Sequence, residues 1–416
     1  MTSQNRRLTM KDNQAKYPQL RFKGFTDPWE QRKLGTIYNF GKGKGLPLDS
    51  FIYSSNNPAI AYGHLYTKYS EVISEVFWSS NDNGVLSKDN DLLFPGSSTV
   101  PNGTAQANAI TLNNVKLGGD IIIGRPKEGV GVLSTFMSYQ INSQRQKLFP
   151  ITVGTTITHM YGKDISKLNF FITDYSEQEK IASFFKQLDD TIALHQRKLA
   201  KLKELKQGYL QKLFPKNGSK FPQLRFAGFA DDWEERKLVS MTNYKNGKGH
   251  EDKQSTIGKF ELINLNSISI SGGLKHSGKF IDEADDTLQK DDLVMILSDV
   301  GHGDLLGRVT LIPEDDRFVL NQRVALLRPN ATADPQFLFS YINAHQYYFK
   351  AQGAGMSQLN ISKGSVENFI SFVPIIEEQK KIGTFFKQLD DTITLHQRKL
   401  EKLQELKKGY LQKMFC

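Results

Sequence analysis

Two stretches of the chain place mostly apolar residues at alternating spacings of four and three. The first stretch runs Ile181, Phe185, Leu188, Ile192, His195, Leu199, Leu202, Lys206, Tyr209 and Leu213, and the second runs Ile382, Phe386, Leu389, Ile393, His396, Leu400, Leu403, Lys407, Tyr410 and Met414. A period of 3.5 residues makes helices wrap around each other with this seam buried. We therefore predict two long helices that pack on one another. Antiparallel pairing is favoured, and the pattern alone leaves parallel pairing open.

The two stretches are copies of one sequence. Between residues 177–214 and 378–415, 30 of the 38 positions are identical. A second repeat lies upstream, where "PQLRFKGF" (18–25) returns as "PQLRFAGF" (222–229). Internal repeats of this kind indicate a duplicated architecture. Each half therefore consists of an opening phrase, a variable body and a long helix.

Short apolar runs between turn residues predict strands in both bodies. These runs are "DLLF", "DIIIG", "LVMIL", "RVTLI" and "RVALL", and "PQFLFSYINAHQYYFKAQ" predicts a helix. We predict two similar mixed α/β (α+β) bodies joined by the two helices, with an approximate two-fold relation. The predicted boundaries are an N-terminal extension at 1–16, a first body at 17–175, a first helix at 176–214, a linker at 215–220, a second body at 221–375 and a second helix at 376–416.

Composition narrows the function. The 416 residues exceed the size of a typical single core, and the formal net charge of +10 favours an anionic partner, nucleic acid first and an acidic membrane second. The one cysteine, Cys416, excludes an internal disulfide and fits a reducing compartment. No run of about 18 apolar residues is present, so we expect a cytoplasmic protein with no membrane association.

Some positions on the predicted helices have two interpretations. His195 and His396 lie on the seam, where a polar residue fixing register is favoured over a metal ligand, and we predict no metal site. Apolar residues also lie off the seam, and these either pack on the bodies or dock a partner protein: Phe184, Leu205, Leu210, Phe385, Leu406 and Leu411.

The chain shows no nucleotide-binding or zinc motif, so we predict binding without catalysis. The loops 95–104 and 298–308 follow equivalent predicted strands but share few side chains, as two readers of different DNA sequences require. Candidate DNA contacts in loops of both bodies are Lys42, Lys44, Ser98, Thr99, Asn102, Lys245, Lys248, His250, His302 and Arg308.

The duplicated helices, the two "PQLRF" phrases and the phrase "LGRVTLI" resemble the specificity subunit of type I restriction-modification systems. The resemblance covers nearly the whole chain and is strongest in the helices. The first body departs from it, with "TAQANAI" (104–110) where the second has "LGRVTLI".

This resemblance implies a non-catalytic, DNA-associated bacterial defence protein. Two target-recognition domains would bind the halves of a split double-stranded DNA site, while the helices set the gap and dock two methyltransferase subunits. Restriction subunits would join the full complex. The chain itself would bind no cofactor, and S-adenosylmethionine, ATP and Mg²⁺ would lie on the partner subunits. The alternatives are a fused restriction-methylation enzyme, which would need catalytic motifs, and a structural bridging protein without DNA site preference.

Overall fold

The computed structural model describes residues 17–100, 102–215, 219–300, 303–356 and 358–415. It divides into two compact units. Unit 1 runs to Gln196 and also contains the chain from Lys399 onward, whereas unit 2 comprises Arg197–Arg398. This division falls inside both long helices, so it differs from a division into separate bodies and helices. The predicted N-terminal extension (1–16), part of the predicted linker (216–218) and Cys416 lie outside the described residues.

Unit 1 is built on a sheet with strand order β2-β12-β8-β10-β5. The strands of the first half are β1 Glu30–Lys33, β2 Tyr38–Lys42, β3 Ile52–Tyr53, β4 Ala59–Ile60, β5 Val72–Ile73, β6 Trp78–Ser79, β7 Val85–Leu86, β8 Asp91–Pro95, β9 Ser97–Ser98, β10 Asn108–Ile110, β11 Lys116–Leu117, β12 Ile121–Pro126, β13 Thr158–His159 and β14 Asn169–Ile172. The helices are α1 Leu34–Ile37, α2 Tyr62–Thr67, α3 Ser134–Ser143, α4 Gly162–Ile165 and α5 Tyr175–Leu213, with 3₁₀ turns at Leu48–Ser50, Arg145–Lys147 and Phe149–Ile151.

Unit 2 repeats this plan with a sheet ordered β16-β23-β19-β21. Its strands are β15 Glu234–Lys237, β16 Thr242–Asn246, β17 Phe260–Ile263, β18 Phe280–Ile281, β19 Leu293–Ile296, β20 Ser298–Asp299, β21 Val309–Leu311, β22 Phe318–Leu320, β23 Val324–Pro329, β24 Leu359–Asn360 and β25 Ile370–Val373. The helices of the second half are α6 Pro335–Ala344, α7 Gln346–Ala351, α8 Lys363–Glu367 and α9 Ile376–Met414, with 3₁₀ turns at Leu238–Ser240 and Leu265–Ser267.

The predicted strand runs all form strands. Each central strand, β8 and β19, is buried along its length between two neighbours, which explains its unbroken apolar sequence. The predicted helix at 335–352 is instead two helices that meet at His345. Asp334 begins the first of them, since its carboxylate accepts a hydrogen bond of 2.8 Å from the Phe337 amide, and Pro335 follows at the first helical position.

The phrase "TAQANAI" occupies the same place as "LGRVTLI". In unit 1, the Asn142 side chain accepts from the Ala107 amide at 2.9 Å and donates to its carbonyl at 2.7 Å. In unit 2, Asn343 makes the same two bonds to Val309, at 3.2 and 3.0 Å. Residue 107 is therefore the counterpart of residue 309, and the aligning strands are β10 and β21.

The long helices pair antiparallel within each unit. In unit 1, Phe185 stacks on Phe415 with ring centroids 5.8 Å apart, and Asp189 lies 2.7 Å from Lys407, so rising numbers on α5 meet falling numbers on α9. Unit 2 shows the same order. There Lys206 lies 2.5 Å from Asp390, and Tyr209 contacts the Phe385 ring at 5.0 Å.

The seam is buried or half-buried at every predicted position. Its outer positions pack into the globular cores, because Ile181 and Phe185 belong to the main core of unit 1, and Ile382 and Phe386 to that of unit 2. His195 and His396 are half-buried. Within the described residues, no group of three or more His, Cys, Asp or Glu side chains is placed to hold a metal ion.

A buried ion pair fixes the start of each long helix. Arg21 of the first "PQLRF" phrase donates to both carboxylate oxygens of Glu177, at 2.6 and 2.8 Å. Arg225 of the second phrase does the same to Glu378, at 2.8 Å for both bonds. Both glutamates are fully buried. The repeated phrases therefore clamp each long helix to its own body.

Candidate nucleic-acid interface

One lysine occupies the same position in both bodies. Lys44 and Lys248 each follow a glycine that is pressed against backbone, since a Cβ on Gly43 would lie 1.9 Å from the Gly118 carbonyl oxygen and one on Gly247 would lie 1.6 Å from that of Asn321. The backbone of the "GKGKG" segment (41–45) therefore lies close against neighbouring backbone, and "KNGKG" (245–249) is its counterpart in the second body. Both lysines are exposed, which suits each of them to contact a phosphate.

A short ladder lies beside each variable loop. In unit 1, β9 pairs with β13, and in unit 2, β20 pairs with β24. These ladders join the beginning of loops 95–104 and 298–308 to the hairpins 153–159 and 354–360. Each body therefore presents two adjacent loops on a common support.

A polar network links the lysine strand to the variable loop in unit 1. Lys42 lies 2.7 Å from Asp120, which accepts a bond of 3.0 Å from Ser97, and the Ser97 hydroxyl is 3.0 Å from His159 Nδ1. The hydrogen bond from Lys42 lowers the pKa of Asp120. Lys42 is thus paired with a carboxylate, which reduces the positive charge it offers to DNA.

Position 120 has a counterpart of opposite charge. The Asp120 carbonyl accepts from the Gly96 amide at 2.6 Å, and the Arg323 carbonyl accepts from the Leu297 amide at 2.9 Å. Both residues also have left-handed backbone, with φ of 61° and 66°. Arg323 is exposed. The two bodies therefore present different charges from one backbone frame.

In unit 2 the structure brings three predicted residues around one concavity. Lys245, Lys248 and His250 line it, and Asp285 and Asp286 lie opposite. The Lys245 ammonium pairs with Asp286, whereas His250 is half-buried. The concavity therefore carries both signs of charge, with Lys245 paired to a carboxylate and Lys248 exposed.

The remaining predicted contacts have mixed positions. Thr99 and Asn102 are exposed on their loop. Ser98 is buried, and its hydroxyl bonds at 3.0 Å to both backbone groups of Val100, so it shapes the loop and does not face a ligand. Arg308 turns inward to the Asn343 carbonyl at 3.3 Å, and burial lowers its pKa. His302 lies outside the described residues.

The predicted docking residues divide into two groups. Phe184 and Leu411 pack against the core of unit 1, and Phe385 and Leu210 pack against that of unit 2. All four are half-buried there. Leu205 and Leu406 remain exposed, at 41% and 40%.

Another pair of exposed leucines lies on the same helices. Leu194 and Leu395 occupy equivalent positions and are 43% and 51% exposed. Each unit thus presents one exposed leucine from each helix, Leu194 with Leu406 and Leu205 with Leu395. The helix pattern contained this signal, because both leucines are repeated between the copies. Arg323 had no such signal, since its place beside the loop follows from strand pairing.

Comparison with known proteins supports this duplicated arrangement. The family model for the type I restriction modification DNA specificity domain matches residues 26–204 and again residues 230–405. The chain belongs to this family. It is a type I restriction-modification specificity subunit, and its two matched segments correspond to the two halves of the structure.

One relative of this specificity subunit matches it along nearly its full length, and another along about half. It is 22% identical over 400 residues to the type I restriction enzyme MjaVIII specificity subunit of Methanocaldococcus jannaschii, covering 92% of this chain and 91% of that protein. It is also 24% identical over 247 residues to the putative MjaX specificity subunit of the same organism, covering 56% and 55% of the two chains.

A solved structure shares the fold of this specificity subunit. The S subunit of the type I restriction-modification system from M. genitalium superposes with a TM-score of 0.68 at 17% identity, covering 96% of this chain and 99% of that one. Within the described ranges, no helix combines the length and apolar character needed to cross a membrane.

Proposed function

We propose that each body reads one half of a two-part DNA sequence, without catalysing a reaction itself. The observation that carries this proposal is the pair of matched frames with unmatched surfaces. Lys44 and Lys248 are equivalent exposed cations, whereas the loops 95–104 and 298–308 differ in side chains. Phosphate contacts position a protein on DNA and base contacts specify the sequence. Constant exposed lysines and variable loops in each body supply these two functions.

The long helices set the unread gap between the half-sites. Each contains 39 residues, and a helix of that length measures roughly 58 Å at about 1.5 Å per residue. Inserting four residues near Lys201 would lengthen α5 by about 6 Å, more than one base-pair step of roughly 3.4 Å. The length of helix therefore determines which gap is tolerated.

The exposed leucines of the helices dock two methyltransferase subunits. Leu194 and Leu406 in unit 1 repeat as Leu395 and Leu205 in unit 2, and a surface that occurs twice suits two copies of one partner. Restriction subunits join this complex in the cytoplasm. S-adenosylmethionine, ATP and Mg²⁺ are bound by the partner subunits, which carry out methylation and cleavage.

An exchange of bodies tests the proposal. Residues 17–170 would be replaced by those of a relative, the complex assembled with its methyltransferase subunits, and methylated adenines mapped by sequencing. We expect one half of the methylated motif to change while the other half and the gap stay constant. A change in both halves, or methylation with no site preference, would refute two independent readers and favour a bridging role.

A further inference from the structure

The hairpins beside the variable loops are built identically in the two bodies. Val153 and His159 exchange both backbone hydrogen bonds, at 2.9 and 2.7 Å. Ala354 and Asn360 exchange the same two bonds, at 3.0 and 2.9 Å. The same pair of closing bonds therefore occurs in both hairpins.

One glycine fixes the backbone at the tip of each hairpin. Gly154 has φ 106° and Gly355 has φ 132°, in the range that favours glycine. A Cβ at either position would lie 2.1 Å from the carbonyl oxygen of Ile157 or of Gln358. The tip conformation thus depends on glycine and not on the side chains that follow it.

Each hairpin is held against the variable loop of its own body. The Met160 amide donates to the Gly96 carbonyl at 3.0 Å, and the Ile361 amide donates to that of Leu297 at 2.9 Å. A serine hydroxyl adds a second link, since Ser298 donates to Asn360 Oδ1 at 2.5 Å, as Ser97 bonds to His159 in unit 1. Each hairpin therefore lies directly beside the first residues of its variable loop.

The tip side chains differ between the bodies. Unit 1 presents Thr155, Thr156 and Ile157, whereas unit 2 presents Met356 and Gln358 at matching positions. Ile157 is 47% exposed and Met356 is fully exposed, so these apolar side chains contribute little to the packing of their own body. Apolar groups held on a rigid frame and left in water are suited to contact with a ligand.

We propose that the two hairpin tips are specificity determinants that contact base edges, each in the half-site of its own body. This inference rests on the proposed function and names residues within it. Threonine hydroxyls bond to base edges, an apolar side chain contacts the thymine methyl group, and a glutamine amide bonds bidentately to adenine. Thr155, Thr156 and Ile157 in the first tip and Met356 and Gln358 in the second therefore favour different bases.

A transplant of the tip tests this assignment. Residues 155–157 would be replaced by the sequence of residues 356–358 in the full chain, assembled with its methyltransferase subunits. Because each tip follows a glycine with positive φ and the same close approach to the carbonyl three residues on, the new tip should fold. We expect the half-site of the first body to change or relax at one or two positions, with discrimination there altered about 5- to 150-fold. The second half-site should stay as in the unmodified protein.

The reciprocal transplant, 356–358 replaced by the sequence of 155–157, is the matched control and should alter only the other half-site. An unchanged motif in both variants, with discrimination as in the unmodified protein, would overturn the assignment. So would a transplant that alters the half-site of the opposite body. Failure of the proposed function is separate, because it would appear as a missing two-part motif in the unmodified complex.

Discussion

The two units hold their long helices with the same parts but with unequal support. In unit 1, the Glu177 carboxylate accepts from Arg21, from Thr173 and from Trp29 Nε1 at 3.1 Å. In unit 2, the Glu378 carboxylate is held by Arg225 alone among the described residues, because Trp233 Nε1 reaches no acceptor and a proline replaces the threonine at 374. The two halves thus share the ion pair but not its supporting bonds.

A second difference concerns the seam lysines. Lys407 lies between Asp189 at 2.7 Å and Glu71 at 3.1 Å. Burial disfavours its charge, but attraction to the two carboxylates prevails and raises its pKa. Its counterpart Lys206 pairs with Asp390 at 2.5 Å. The two equivalent lysines therefore have different electrostatic surroundings, because the body of unit 1 supplies a second carboxylate, that of Glu71.

The largest effect is expected from substitutions that break the ion pair at the start of a long helix. Arg225→Ala leaves a buried carboxylate with no described partner and should destabilise the start of α9 by about 3–5 kcal/mol. Arg21→Ala should have a smaller effect on α5, about 1–3 kcal/mol, because Trp29 and Thr173 still donate to Glu177. Hydrogen exchange at amides of the first two turns measures both.

Exposed Lys203, changed to alanine, provides the control for these two variants and should leave both helix starts protected. Equal losses of protection in Arg21→Ala and Arg225→Ala would show that the tryptophan and threonine bonds do not support the first carboxylate.

The next largest effect is expected from substitutions of the two seam lysines. Lys407→Met should destabilise unit 1 by about 2–3 kcal/mol, since Asp189 and Glu71 then lose a charged donor in a half-buried site. Lys206→Met should cost about 1 kcal/mol, because it removes one pair. Amide exchange in residues 399–415 and in 197–213 gives the two values.

Adding Glu71→Gln should recover part of the Lys407→Met loss, since an uncharged amide needs no cation. No recovery in this double variant would remove Glu71 from the explanation.

The smallest expected effect is one that the two halves share. Lys44→Ala and Lys248→Ala should each weaken DNA binding by the complex about 3- to 5-fold for every sequence tested, and each should lower the salt slope by about one phosphate contact. Titration of labelled duplexes over a range of salt concentrations measures this. A change of preferred bases in either variant would assign the lysine to reading and not to positioning.

Much of the fold was set by pattern. The seam spacing predicted two long paired helices, the apolar runs predicted β8, β12, β19, β21 and β23, and the repeat predicted two similar bodies. These features follow from local periodicity and from burial, both of which are visible along a chain. Antiparallel pairing of the helices, which the sequence favours, is confirmed within each unit.

The surface was predictable only in part. Lys44 and Lys248, which the sequence places in loops, are exposed in the structure, and their equivalence follows from the close backbone approach of the preceding glycines. Loop position suggests that Ser98 and Arg308 contact DNA, yet both side chains turn inward, Ser98 to the nearby backbone of Val100 and Arg308 to the distant carbonyl of Asn343. The sequence leaves Phe184 and Phe385 open between packing and docking, and their contact with the cores is visible only in the folded chain.

The sequence by itself determined the duplication, the helix seam, the apolar strand segments and the family. Each of these is a pattern of residue types along the chain. Tertiary structure decided which atoms meet. Arg21 meets Glu177, and Glu71 lies beside Lys407. Asp120 and Arg323 occupy equivalent backbone positions in the two bodies, and each hairpin lies beside a variable loop. The physical reason is that these contacts connect residues far apart in sequence, and their energies depend on distances and burial that only the folded chain fixes.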